Sequence, residues 1–327
     1  MPIISYIDAV TGAIREEMQR DNKVFVLGED VGVRGGVFRA TQGLYEEFGS
    51  HRVIDTPLAE SAIVGVAIGA AAYGMFPIAE IQFADFIMPA VNQIVSEAAK
   101  MRYRSNGDWH CPLVVRAPYG GGIHGALYHS QSVEAMFCNT PGLKVVAPST
   151  PYDVKGLLKA AIRDPDPVLF FEHKRCYRLI KGEVPDTDYV LPIGKADIKR
   201  VGEDLTVISY GLTLHFALQA AEKLQEDGYS THVLDLRTLY PLDKEGIVEA
   251  AKRTGKVLII HEDNKEGGVA GEVAAIIAEE CLFDLDAPIK RLCGPDVPAM
   301  PYSPPMEKFF MLNPDKVYQA MKELAEF

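Results

Sequence analysis

Short apolar, β-branched runs alternate with helical patterns along most of the chain, the signature of parallel sheets covered by helices. Ile7, Val10, Ile14 and Met18 recur at spacings that place them on one face of a helix. The run Val24-Phe25-Val26-Leu27 that follows is too short for a helix and predicts a buried strand. Ile78–Phe83, Leu113–Arg116, Lys144–Ala147 and Val168–Phe171 predict further strands, each ending in a loop of turn or polar residues. From about Cys176 to Gly202 the pattern weakens. Lys181–Asp188 is polar and rich in turn formers, which predicts a connection between domains. A second alternation then begins, with strand runs Leu205–Ser209, Thr231–Leu236, Val257–His261 and Ile289–Leu292 separated by helical patterns. The expected fold is α/β with two parallel-sheet domains: residues 1–180, a connection at 181–202, and 203–327.

Composition narrows the function. A length of 327 residues suits two domains, and 48% hydrophobic with 24% charged residues excludes disorder, collagen and coiled coil. Asp and Glu number 45 against 33 Lys and Arg, so the net charge is −12. Phosphate backbones and anionic membranes carry the same sign, so neither nucleic acid nor a membrane surface is expected as partner. Five cysteines without a Cys-x-x-Cys pair suggest neither a disulfide framework nor a thiolate zinc site. The most apolar window, Ser61–Tyr73, is too short for a bilayer, and the first residues carry no basic or long apolar leader pattern. A cytoplasmic location is the expectation.

In open parallel sheets ligands bind at the carboxyl ends of strands, so the loops there are the places to search. Gly28–Phe38 is glycine-rich but lacks the Lys-Ser/Thr of a P-loop and does not match G-x-G-x-x-G; a turn and a ligand loop are equally compatible with it. Asp55-Thr56-Pro57-Leu58-Ala59-Glu60 leads into an Ala- and Gly-rich helix, where Glu60 is either an N-terminal helix charge or a buried acid with a raised pKa. Glu80–Phe86 brings an amide and aromatics, suited to core packing or to stacking on a flat ligand. Pro118–Ser132 holds two histidines five apart, His124 and His129, in a glycine-rich loop. The spacing is not that of a zinc site, whereas imidazoles titrate near neutrality and suit proton transfer. There is no G-x-S-x-G elbow, Walker A, kinase signature or Gly-Asp-Gly motif.

Taken together, Leu27–Gly32, Asp55–Glu60, Glu80–Phe83 and Leu236-Arg237-Thr238-Leu239-Tyr240-Pro241-Leu242-Asp243 resemble the beta subunits of thiamine-diphosphate-dependent 2-oxo-acid dehydrogenases, over essentially the whole chain. Gly125–Ser132 looks more like the branched-chain (2-oxoisovalerate) branch than the pyruvate branch. The resemblance implies a pyrimidine-binding domain followed by a transketolase C-terminal-like domain. It also implies an alpha subunit that holds the diphosphate through Mg2+, in an α2β2 heterotetramer, so that this chain is inactive alone. The implied reaction is decarboxylation of branched-chain 2-oxo acids and transfer of the acyl group to the lipoyl group of a dihydrolipoyl acyltransferase core.

By the same resemblance Glu60 is the catalytic acid that bonds N1′ of the aminopyrimidine, and Glu29, Leu58, Gln82 and Phe86 line the cofactor. Some relatives carry Tyr at the Phe86 position, so a hydroxyl contact is lost here. His129 faces the reacting carbon and assists protonation or acyl transfer; His124 is a looser candidate. Leu113, Val114, Ala161, Asp164 and Asp166 occupy the places of a structural potassium site. The alternatives are a pyruvate or acetoin dehydrogenase beta subunit and, in a different class, a non-catalytic α/β binding module.

Overall fold

A computed structural model describes residues 1–327. The chain divides into two compact units, one of Met1–Tyr119 with Met136–Ile193 and one of Gly120–Ala135 with Gly194–Phe327. Both are α/β, and no helix is long and apolar enough to cross a membrane.

The first unit opens with helix Tyr6–Arg20, where Ser5 and Asp8 form a capping box that satisfies two otherwise unpaired N–H groups. Its buried face carries Val10, Ile14 and Met18. The parallel strands lie in the order Lys144–Val146, Val168–His173, Val114–Tyr119, Phe76–Glu80, Val24–Gly28 and Val53–Asp55. Every residue of Val24–Gly28 is buried, as a strand covered on both faces requires. Val53–Asp55 was not legible because three residues at a sheet edge carry too little periodicity. The chain runs outward from Val24–Gly28 to Val53–Asp55 and then crosses back to Phe76–Glu80, which makes a topological switch point beside Gly28. Gly28 is in register with both Asp55 and Glu80, so these three strands end level.

Strand Phe76–Glu80 starts earlier and ends sooner than the Ile78–Phe83 run suggests, because the chain turns at Gln82 into the 3-10 turn Ala84–Phe86. The stretch expected as a connection is partly ordered structure. Lys181–Glu183 pairs antiparallel with Ile3–Ser5, and Asp188 is held by Arg163 at 3.0 Å and by Lys159. Those cations hold the Asp188 carboxyl down at about 2.

In the second unit the strand order is Lys290–Gly294, Val257–Asn264, Leu205–Ser209, Thr231–Asp235 and an antiparallel edge strand, Asp197–Arg200. Leu205, Val207, Val233, Leu258 and Ile260 pack with Leu214, Ala217, Ala221 and Leu224 of helix Leu212–Glu226 and with Val317, Met321 and Leu324 of helix Pro314–Ala325.

Candidate functional site

The loops beyond the switch point are tied together by close backbone approach. A Cβ at Gly28 would stand 2.7 Å from the Glu80 carbonyl oxygen, and one at Gly32 only 2.4 Å from Asp55 Oδ2. Glycine is therefore required for contact, since neither position has a positive φ. The Gly32 N–H donates to Asp55 Oδ1 at 2.7 Å, and the Thr56 N–H donates to the Gly28 carbonyl at 2.9 Å.

On this rim the structure gathers acids. Glu29 is buried, and burial raises its carboxyl pKa above the ordinary range; the negative charges of Glu60 and Asp30 add to the effect. Glu60 opens helix Glu60–Ala72 and is itself buried, with Ala59 at the N-cap supplying no side-chain bond. Its carboxyl therefore sits in the first turn, where the helix dipole favours negative charge. Gln82 reaches from the neighbouring strand end and donates to Asp30 Oδ2 at 3.4 Å.

Apolar groups flank the acids in the chain. Leu58, two residues before Glu60, is 77% exposed. Phe86 is half-buried and packs edge-on against Phe83 at 5.8 Å, which packs in turn against Phe38 at 5.2 Å. A buried carboxyl, an amide and exposed apolar side chains are the donor set that a flat heteroaromatic ring with protonatable nitrogens requires. The chain has no grouping of three or more His, Cys, Asp or Glu side chains suited to a metal ion. Glu60, Gln82, Leu58 and Phe86 are residues of the types that could bond and cover the pyrimidine ring of thiamine diphosphate.

Beneath the rim lies a network that sequence reasoning missed. Arg116 is fully buried; it donates to both carboxylate oxygens of Glu172 at 2.7 and 2.6 Å and to Glu80 Oε2 at 2.5 Å. The Tyr177 hydroxyl donates to Glu172 Oε2 at 2.5 Å. Burial alone would lower the Arg116 pKa, but the charges of Glu172 and Glu80 outweigh it and keep the guanidinium charged. Burial raises the Glu80 carboxyl pKa despite the pull of Arg116. The available signal was charge inside apolar strand runs, Val114-Val115-Arg116 and Phe170-Phe171-Glu172, since fully buried charges occur almost only in pairs.

The two histidines belong to the second unit, on the loop Gly120–Ala135. His129 is half-buried and follows the 3-10 turn Ala126–Tyr128. The Gly120 N–H donates to the Gln131 carbonyl at 2.9 Å, and the Gly121 N–H donates to Glu262 Oε1 at 2.5 Å. His124 points its ring Nδ1 at Glu307 Oε2, 2.5 Å away. Further along, the Tyr210 hydroxyl donates to Glu134 at 2.8 Å. Burial raises the carboxyl pKa of Glu134 well above the usual range and pushes Asp263 up to about 6.

Leu113, Val114 and Ala161 are buried, with Asp164 and Asp166 nearby in sequence. The Leu113 carbonyl accepts from the Val168 N–H at 2.9 Å, and the Ala161 carbonyl from the Asp164 N–H at 3.3 Å. Lys144 pairs with Asp164 at 2.6 Å and Arg102 with Asp166 at 2.6 Å.

Residues 3–180 match the model of the transketolase pyrimidine binding domain, and residues 194–317 that of the transketolase C-terminal domain. The chain is 76% identical over 327 residues to the 2-oxoisovalerate dehydrogenase subunit beta of Bacillus subtilis (strain 168), covering 100% of both. It is 45% identical, again over 100% of both, to the pyruvate dehydrogenase E1 component subunit beta of the same organism. The mitochondrial 2-oxoisovalerate dehydrogenase subunit beta of Dictyostelium discoideum is 50% identical over 322 residues, 98% of this chain and 86% of that one. Among solved structures, a split gene transketolase described as an inactive beta4 tetramer superposes with a TM-score of 0.80 at 24% identity, over 99% of this chain and 98% of that one. That likeness concerns the fold.

Proposed function

The chain belongs to the beta subunits of the thiamine-diphosphate-dependent 2-oxo-acid dehydrogenases, and from that membership we infer that it serves a branched-chain 2-oxo-acid dehydrogenase together with an alpha subunit. One comparison carries the substrate class. Two full-length relatives from a single organism differ in what they are named for, and the chain is 76% identical to the 2-oxoisovalerate subunit but 45% identical to the pyruvate subunit. The reaction proposed is decarboxylation of branched 2-oxo acids followed by acyl transfer to the lipoyl group of a dihydrolipoyl acyltransferase.

Thiamine diphosphate, when bound, supplies the electron sink that makes loss of CO2 feasible. The chain's own residues hold and ready its pyrimidine half. Glu60 holds a proton against the pyrimidine N1′. Glu29, whose carboxyl pKa is raised by burial first and by its acidic neighbours second, lies on the same rim. Leu58 and Phe86 cover the ring and exclude water, and Gln82 offers an amide to its edge. His129 delivers a proton to the lipoyl sulfur that is released when the dithiolane S–S bond opens. In this scheme residues 1–180 act as the pyrimidine-binding domain and 203–327 as the transketolase C-terminal-like domain, joined by 181–202.

The partners proposed follow from the family membership. An alpha subunit holds the diphosphate through Mg2+ in an α2β2 heterotetramer, and a basic segment of the acyltransferase complements the net charge of −12. Association should therefore slow as ionic strength rises; a salt-independent rate would refute the electrostatic part. A potassium ion is proposed at the carbonyls of Leu113, Val114 and Ala161 with Asp164 and Asp166. Equal melting temperatures in potassium and sodium chloride would remove it.

The test of the whole reading is Glu60→Gln in the assembled enzyme. Loss of the general acid should lower CO2 release from 3-methyl-2-oxobutanoate by about 10²–10⁴-fold. A rate equal to wild type would refute the role of Glu60.

A further inference from the structure

We propose that Glu307 and His124 form an anchor that positions His129, acting through Gly125. The proposal rests on the acyl-transfer role given above to His129, and makes Glu307 and His124 positioning residues.

Glu307 lies on helix Pro304–Phe310 and is 4% exposed, whereas the imidazole it faces is 61% exposed. A carboxylate buried to that degree needs bonded partners, and both of those recorded belong to His124. The His124 backbone N–H donates to Oε1 at 3.2 Å, and the ring Nδ1 lies 2.5 Å from Oε2. The two bonds fix one residue by its main chain and by its side chain together.

The backbone around this anchor is strained. His124 and Ala126 have φ of +57° and +53°, a region unfavourable to residues with a Cβ. Strain of this kind persists only where the surroundings over-determine it, and it gathers at functional loops. Between these two residues lies Gly125, whose Cβ position would stand 2.7 Å from both the Cβ and the carbonyl oxygen of His129. The main chain at 125 therefore rests directly on His129. A shift of His124 is carried through Gly125 toward His129, since the backbone there packs so near His129 that only glycine fits.

The other end of the loop is held separately, by Glu262 at the Gly121 N–H. In this arrangement His124 serves as a positioning residue, its Nδ1 facing Glu307.

A double-mutant cycle in the assembled holoenzyme, with a lipoyl domain as acceptor, tests the anchor. Glu307→Ala should lower the kcat of lipoyl acylation roughly 10–100-fold, as sub-ångström to ångström misplacement of a reacting group does. Decarboxylation read with a dye electron acceptor, and the KM for the 2-oxo acid, should stay within about 2-fold of wild type. Glu307→Gln keeps an acceptor for the N–H and a donor for Nδ1, and should recover most of the loss. The double variant Glu307→Ala/His129→Ala should be no slower than His129→Ala alone. If Glu307→Ala fails to assemble, His124→Ala takes its place in the same cycle, because it removes only the ring contact. Losses that multiply in the double variant, or an equal fall in the dye-coupled assay, would overturn the anchor while leaving the role of His129 intact. If His129→Ala itself acylates lipoyl groups at the wild-type rate, the reading of His129 is wrong and the anchor falls with it.

Discussion

Replacing Arg116 by Met would leave Glu80 and Glu172 buried at the strand ends without their shared cation. Arg116 makes three bonds of 2.5–2.7 Å to these carboxylates, and none of the three side chains is more than 4% exposed. With charge centres about 4 Å apart and an effective dielectric near 20, each pair attracts by about 4 kcal/mol, set against the cost of burying the ions. The net loss on removing one partner of such a network is about 3–5 kcal/mol, because the remaining charges stay desolvated. At about 2–4 °C per kcal/mol for a domain of this size, the melting temperature should fall by roughly 6–20 °C.

The loss should also depend on pH. Without Arg116 the buried carboxyls bind protons more tightly than in the unfolded chain, where a glutamate titrates near ~4.3. The native state then holds more protons than the unfolded state, so stability falls as pH rises above that value. The deficit of Arg116→Met against wild type should therefore be largest at pH 8 and shrink toward pH 5, as followed by thermal unfolding across that range. A variant that melts within about 2 °C of wild type at pH 8, or a deficit that does not shrink on acidification, would refute the reasoning.

Other outcomes follow from the same geometry. Glu29→Gln removes a carboxyl whose pKa the fold raises, so it should stabilise the protein at pH 7–8 and gain nothing near pH 4, as chemical denaturation at each pH would read. Asp188 shows the opposite sign. Its carboxyl is held down at about 2, so Asp188→Asn should cost stability at neutral pH, with the difference disappearing as pH falls below that value. Gly125→Ala should impair lipoyl acylation more than decarboxylation, since the added methyl meets His129 at 2.7 Å in a backbone conformation that alanine otherwise tolerates. His129→Ala should retain thiamine diphosphate binding while losing lipoyl acylation; unchanged overall turnover would refute its role.

The sheets were readable where burial on both faces wrote apolar runs into the chain, as at Val24–Gly28 and Leu205–Ser209. Strands that are short or lie at an edge left no such trace, which is why Val53–Asp55 and Asp197–Arg200 appear only in three dimensions. The rim acids were visible as loop chemistry after strands, but the coupling of Glu29 to Glu60 depends on two loops that converge at the switch point. Glu307 was invisible as a partner of His124, because the two are 183 residues apart and only tertiary folding brings them together.

The central claim is that 327 residues hold half of a branched-chain 2-oxo-acid dehydrogenase site. CO2 release from 3-methyl-2-oxobutanoate and from pyruvate, measured for the purified chain alone and with its alpha subunit, tests it most directly. The account predicts no release by the chain alone, and with the alpha subunit a higher kcat/KM for the branched acid. Turnover without the alpha subunit, or a preference for pyruvate in its presence, would contradict it.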